Sequence, residues 1–276
     1  MFKVYQYDVE VAFIQSTIDP NHPPVYCAPA KGYDDRRQYV YQLHKHLYGM
    51  KDSPRGWSKL FSSVCLTYGF SQLKSDKCVF VKIVPNTNSG KSANTFSAVL
   101  DTLPNVPERD RIYKDCPYES CIIILCSYVD DILAFTNCSS LADDFLAHCT
   151  KRFKMTCDGE AHWYLSVKYT REPSGAVSAS QELYINKILK RWGMESCKPL
   201  PIPSPAKSDV VTNSSSPSRI LTPGPALNKQ VQEIIGRLLY CQQETVPEIS
   251  WSVSIVARFT TKAGAPHMAL AKTVCC

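Results

Sequence analysis

The chain has 276 residues, 44% hydrophobic and 20% charged, which is enough for one large domain or two small ones and too apolar for a disordered chain. Its net charge of +6 is mildly basic, which suits acidic partners such as nucleic acid without requiring them. The cysteines show no CxxC pair and no zinc-finger spacing, no signal peptide opens the sequence, and the longest apolar run, around Cys121 to Val129, is about half a membrane span. A disulfide scaffold and a transmembrane helix are excluded on these grounds, and reduced thiols are expected.

In chain order, "VYQYDVEVAF" alternates and is rich in Val and Tyr, so it predicts a strand starting almost at the first residue. From Ser53, "SPRGWSKLFSSVCLTYGF" offers an N-cap serine, Pro54 in the first turn, and an apolar stripe of Trp57, Leu60, Phe61, Val64 and Tyr68, with Gly69 as the stop. "CVFVKIV" predicts a strand, residues 85–120 an irregular insertion, and "CIIILCSYV" with "ILAFT" the two arms of a hairpin. A helix is expected over "SSLADDFLAHCTKRF", followed by a hairpin through "WYLSVKYTR" and "AVSAS" and an amphipathic helix at 181–193 whose basic face holds Lys187, Lys190 and Arg191. Residues 197–228 are rich in Pro and Ser and predict a linker, after which "QVQEIIGRLLYCQQ" and "PEISWSVSIVARF" read as two more helices.

The chemistry concentrates where charge interrupts apolar strands. Asp130 and Asp131 fall between the hairpin arms, where a tight turn lets both carboxylates project from the tip. Like charges that close raise each other's pKa unless a cation compensates them. Magnesium takes hard oxygen ligands of this kind. Turn chemistry alone also accounts for an Asp pair. Asp8 tips the balance, because it too stands between apolar strand residues and offers a third carboxylate. His44 and His46, two apart, lack an evident third ligand and read as hydrogen-bonded or exposed side chains.

Six ordered blocks, "YDVEVAF", "LYGMKDSPRGW", "DKCVFVK", "YVDDIL", "SQELYINKIL" and a tail beginning "GRLLY" and "TVPEISWSV", resemble the reverse transcriptase of copia-type LTR retrotransposon Pol polyproteins over nearly the whole chain. The resemblance implies an α+β fold: a palm at 1–170, made of an antiparallel sheet with helices on one face, and a mainly helical thumb and connection region at 171–276. It implies RNA-directed DNA synthesis with Asp8, Asp130 and Asp131 as catalytic carboxylates and ligands of two magnesium ions, manganese being an alternative. Val9 is added at the metal site for its backbone, its amide being open to incoming phosphates. Phe13 resembles the aromatic gate against a 2′-hydroxyl, or is a core residue. Gly49, Lys51 and Arg55 are the expected nucleotide-binding residues, with solvated charges as the alternative for the two cations. Tyr128, Trp163 and Tyr164 are the expected primer and template contacts.

The partners implied are an RNA template, a DNA primer, the RNA–DNA hybrid, deoxynucleotide triphosphates and other parts of the Pol polyprotein, with no membrane. The implied location is cytoplasmic, with virus-like particles and nuclear access left open. The chain is expected to begin after the fingers region and to stop before a ribonuclease H domain. It departs from the family pattern at Glu10, Asp52, Ser166 and Val246, where a basic residue, Gln, Gly and Arg are usual. A second reading therefore stands beside the first: a catalytically inactive retroelement remnant with at most nucleic-acid-binding or structural capacity.

Overall fold

A computed structural model describes residues 2–30, 32, 39–85, 118, 120–200, 225–261 and 263–276. The insertion expected at 85–120 lies almost wholly outside them, as does most of the linker expected at 197–228. The chain divides into two units, Met1–Ala161 and His162–Cys276.

In the first unit the alternating N-terminal segment forms strand β1 (Lys3–Val9). It stops earlier than its alternation predicts, because Val11 adopts a left-handed φ of 45° and turns the chain into the short helix α1 (Ala12–Gln15). Phe13 therefore sits on a helix and not on a continued strand. The strands β2 (Val25–Cys27) and β3 (Tyr41–Leu43) pair with each other as a separate ribbon. Helix α2 (Ser53–Tyr68) has Pro54 in its first turn and ends at Gly69, whose φ of 96° is the left-handed C-cap that glycine adopts most easily. Asp52, one residue before the expected serine, is its N-cap.

The chain then runs through β4 (Ser71–Gln72), β5 (Val79–Pro85), β6 (Ser120–Tyr128), β7 (Asp131–Thr136), helix α3 (Ser139–Cys149) and β8 (Met155–Glu160). The sequence reading does not anticipate β8, since "MTCDGE" is polar and lacks alternation. Six strands form one antiparallel sheet in the order β4-β5-β6-β7-β1-β8, so β1 lies between β7 and β8. One face carries Tyr7, Val9, Phe80, Ile123, Leu125, Ile132 and Ala134, and these pack with Trp57, Phe61 and Val64 of α2 and Leu141, Ala142 and Phe145 of α3 in a single core. Burial of this size, about 1.5–3 kcal/mol for each large side chain, is what holds both helices to the sheet.

His46 is buried and its Nδ1 lies 2.9 Å from the Ser16 hydroxyl. A Cβ added at Gly56 would collide with its ring. The histidine is thus a hydrogen-bonded packing residue, and among the described residues it has no cluster of metal-ligating neighbours.

In the second unit the expected strand through "WYLSVKYTR" is broken. Leu165 and Ser166 both have positive φ, 47° and 66°, and form a turn between β9 (Trp163–Tyr164) and β10 (Val167–Arg171), which pairs onward with β11 (Val177–Ser180). Position 166 thus has the backbone conformation glycine adopts most readily, and a serine there is held against its preference. Helix α4 (Glu182–Arg191) follows, then α5 (Pro225–Glu244), a 3₁₀ turn at Pro247–Ile249, α6 (Ser250–Ala257) and α7 (Ala265–Cys275). Val231, Ile234, Ile235 and Leu238 of α5 form the centre of this core, with Ile188, Val253, Val256, Leu270 and Val274 around them. Of the basic face expected on α4, Arg191 is paired with Glu233 at 3.3 Å, while Lys187 and Lys190 are exposed. Among the described residues no helix is long and apolar enough to cross a membrane.

Helix α7, absent from the sequence reading, is capped by a titratable group. The Nδ1 of His267 accepts a hydrogen bond from the Gly264 backbone N–H at 2.9 Å, and its ring stacks on Phe259 at 4.4 Å. Burial holds its pKa below the ordinary histidine value. The folded state therefore binds fewer protons than the unfolded one, and stability falls as pH drops below about 6.5, levelling off beneath the lowered folded value. We expect the melting temperature of the chain to decline through that window, and the decline to be shallower in His267→Gln, whose amide can still accept the cap hydrogen bond.

Candidate active site

Strand geometry decides which way the carboxylates face. Tyr7 and Val9 are buried in the core, so Asp8 between them points to the opposite, open face of the sheet. Asp131 likewise precedes the buried Ile132 and shares that open face. The two are direct cross-strand partners in the β1–β7 register, a placement that brings Cβ atoms to about 4.5–5.5 Å. Like charges directly opposite each other destabilise a sheet. Nothing in the packing requires them.

Asp130 occupies the tip. Tyr128 pairs with Asp131, which leaves Val129 and Asp130 as a two-residue loop joining β6 to β7. Val129 has a φ of 56°, unfavourable for a β-branched residue and costing about 1–3 kcal/mol. Two hydrogen bonds hold this turn: the Trp57 indole N–H donates to the Val129 carbonyl at 2.8 Å, and the Val9 N–H donates to the Asp130 carbonyl at 3.0 Å. The tip is thereby fixed to α2 on one side and to β1 on the other.

Burial raises the pKa of Asp8, with further contributions from Asp158, Asp130 and Glu10. Asp131 is raised in the same way, first by burial and then by Asp8 and Asp130, while a hydrogen bond from Gln6 opposes the shift. Among the described residues, no salt bridge to Lys, Arg or His neutralises any of the three aspartates. Their donor set, hard carboxylate oxygens on the open face and at the adjoining tip, fits a divalent cation in kind. As placed, no three acidic, His or Cys groups among the described residues stand close enough to hold an ion together. Closure around a cation would thus require side-chain rotation.

Two residues of this site are not evident in the sequence. Asp158 lies where the β1–β8 register shifts between Gln6 and Tyr7, so a bulge sets its carboxylate beside Asp8. Tyr48 donates its hydroxyl to Asp130 Oδ2 at 2.9 Å across 82 positions of sequence. No local pattern announces either contact.

The other anticipated residues are placed as follows. The Val9 amide, expected to be open to phosphates, is already committed to the Asp130 carbonyl, and the Val9 side chain is in the core. Phe13 is only 8% exposed and lies against Tyr48, ring centroids 4.6 Å apart, so contact with a sugar would require the Tyr48 ring to move. Gly49 has a φ of 95°, but a Cβ there would meet nothing within 4 Å; the backbone angle, not crowding, accounts for the glycine. Lys51 and Arg55 are exposed near the start of α2, and Tyr128, 61% exposed, flanks the tip. Trp163 and Tyr164 belong to β9 in the second unit.

An antiparallel sheet that presents aspartates from an interior strand and an adjoining hairpin tip defines an acidic site on an α+β scaffold. Comparison with known proteins shows what the chain is similar to. Residues 1–89 match the family described as reverse transcriptase (RNA-dependent DNA polymerase). The chain is 27% identical to the retrovirus-related Pol polyprotein from transposon TNT 1-94 of Nicotiana tabacum over 99% of its own length and 18% of the relative's. It is 29% identical to that from transposon RE1 of Arabidopsis thaliana over 98% of this chain and 16% of the other. A transposon Ty5-1 protein of Saccharomyces cerevisiae is 23% identical over 97% of this chain and 73% of its own length. The chain is thus similar along nearly its whole length to part of two plant retrovirus-related Pol polyproteins, and it spans less than a fifth of each. No solved structure matches it significantly.

Proposed function

We propose that the chain carries the polymerase site of RNA-directed DNA synthesis, with the first unit as the palm and the second as the thumb and connection region. The observation that supports this most directly is the placement of Asp8 and Asp131 opposite each other on the open face, with Asp130 at the tip beside them. Asp8, Asp130 and Asp131 would hold the divalent cations. When bound, magnesium supplies activation of the primer 3′-hydroxyl and charge neutralisation at the leaving pyrophosphate. The chain's own contribution is to fix the carboxylates on a strand and a pinned turn, which orients them at no cost during reaction. Lys51 and Arg55 are proposed phosphate contacts and Tyr128 a primer contact. The partners follow as a primed RNA template and deoxynucleotide triphosphates. The comparisons do not favour the reading as an inactive remnant.

Primer extension on an RNA template tests this. The purified chain is expected to extend the primer slowly in magnesium, with synthesis lost on chelation and restored by added magnesium or manganese. Absence of template-dependent extension under both metals would overturn the proposal.

A further inference from the structure

Three observations meet at Tyr48. Its hydroxyl donates to Asp130 Oδ2 at 2.9 Å. Its ring lies on Phe13, itself almost fully buried in the core, with centroids 4.6 Å apart. Its backbone follows Leu47, whose carbonyl accepts hydrogen bonds from the Met50 N–H and from the Ser53 hydroxyl at the start of α2, and Ser53 is wholly buried. The phenol is therefore held at both ends, although the residue is 50% exposed.

Asp130 needs such a partner. It sits on a two-residue loop and faces repulsion from the neighbouring aspartates, so an unrestrained carboxylate would turn away from them into water. A lysine or arginine at position 48 would hold it, but would also cancel the charge that a cation requires. A neutral hydroxyl orients the carboxylate and leaves its charge intact. One hydrogen bond to Oδ2 also leaves the other oxygen available, since a carboxylate has about four acceptor sites.

We infer that Tyr48 is a positioning residue for Asp130: it orients this carboxylate toward the divalent cation without being a ligand itself. The inference rests on the carboxylate-site reading above. Partners that orient metal-binding carboxylates in this way typically contribute about 10–100-fold to metal affinity.

The test is equilibrium Mn²⁺ binding to the full chain, read from the free-Mn²⁺ electron paramagnetic resonance signal. It compares the wild type, Tyr48→Phe, Asp130→Asn and the double variant, with melting temperatures alongside. Phenylalanine keeps the ring on Phe13 and removes only the hydroxyl. Tyr48→Phe is expected to weaken Mn²⁺ binding about tenfold with an unchanged melting temperature. In the Asp130→Asn background it is expected to have no further effect, which a general structural role would not produce. Wild-type affinity in Tyr48→Phe, or equal weakening in both backgrounds, overturns the role of Tyr48 while the carboxylate site stands. Wild-type binding no tighter than that of Asp130→Asn overturns the site reading, and the role of Tyr48 with it.

Discussion

Asp130→Asn is expected to lower primer extension by about 10²–10³-fold or more, the loss typical of removing one preorganised group that meets developing charge. The substitution is nearly isosteric, and the amide oxygen of asparagine can still accept the Tyr48 hydroxyl. The turn should survive, because its hydrogen bonds run through the backbone carbonyls of Val129 and Asp130 and not through the side chain. What disappears is one negative charge beside Asp8 and Asp131. The melting temperature should hold or rise slightly as repulsion is relieved, so a loss of synthesis would be chemical and not structural. Extension equal to wild type, measured on the same primed template, would remove Asp130 from the site.

The largest effect on stability is expected at Trp57. Its side chain is 3% exposed and packs against Phe61 and Phe153, with ring centroids 5.7 and 5.1 Å away. Truncation to alanine should cost about 3–5 kcal/mol, the range for removing a buried aromatic ring. The indole also satisfies the Val129 carbonyl, so Trp57→Phe separates the two contributions: most of the packing is kept, and the missing donor costs about 1–3 kcal/mol. Denaturant unfolding measures both variants. A cost below about 1 kcal/mol for alanine would mean that the core relaxes around the cavity. Because the same indole holds the strained turn, Trp57→Phe should also reduce primer extension more than its stability loss alone explains.

What could be read from the sequence depended on whether the signal was local. The arms of the β6–β7 hairpin and the helix α2 announce themselves by apolar runs, by Pro54 and by Gly69, and the fold follows those signals closely. Asp8, Asp130 and Asp131 stood out because charge in an apolar strand has no packing explanation. β8 escaped notice because it lies at the sheet edge and its polar residues show no period. Alternation continuing through "VEVAF" places Phe13 on a strand, yet the left-handed Val11 ends the strand before it. Asp158 and Tyr48 were invisible for another reason. Their roles arise from a bulge and from a contact across 82 positions, and neither leaves a trace in neighbouring residues.

The position of β1 in the sheet also governs how the protein comes to be folded. The strand lies between β7 and β8, more than 120 residues later in the chain, and it is the piece that joins β8 to the rest of the described sheet. Among the described residues β7 and β8 are its strand partners, and β8 is joined to the sheet through β1. Pairings across such separations make assembly slow, because the entropy of closing the chain is spent before the contacts stabilise it. Asp8 reaches Asp131 only when that insertion is complete. The acidic site therefore exists only in the finished sheet, and a chain trimmed past Val9 would lose together a carboxylate and the strand that links β7 to β8.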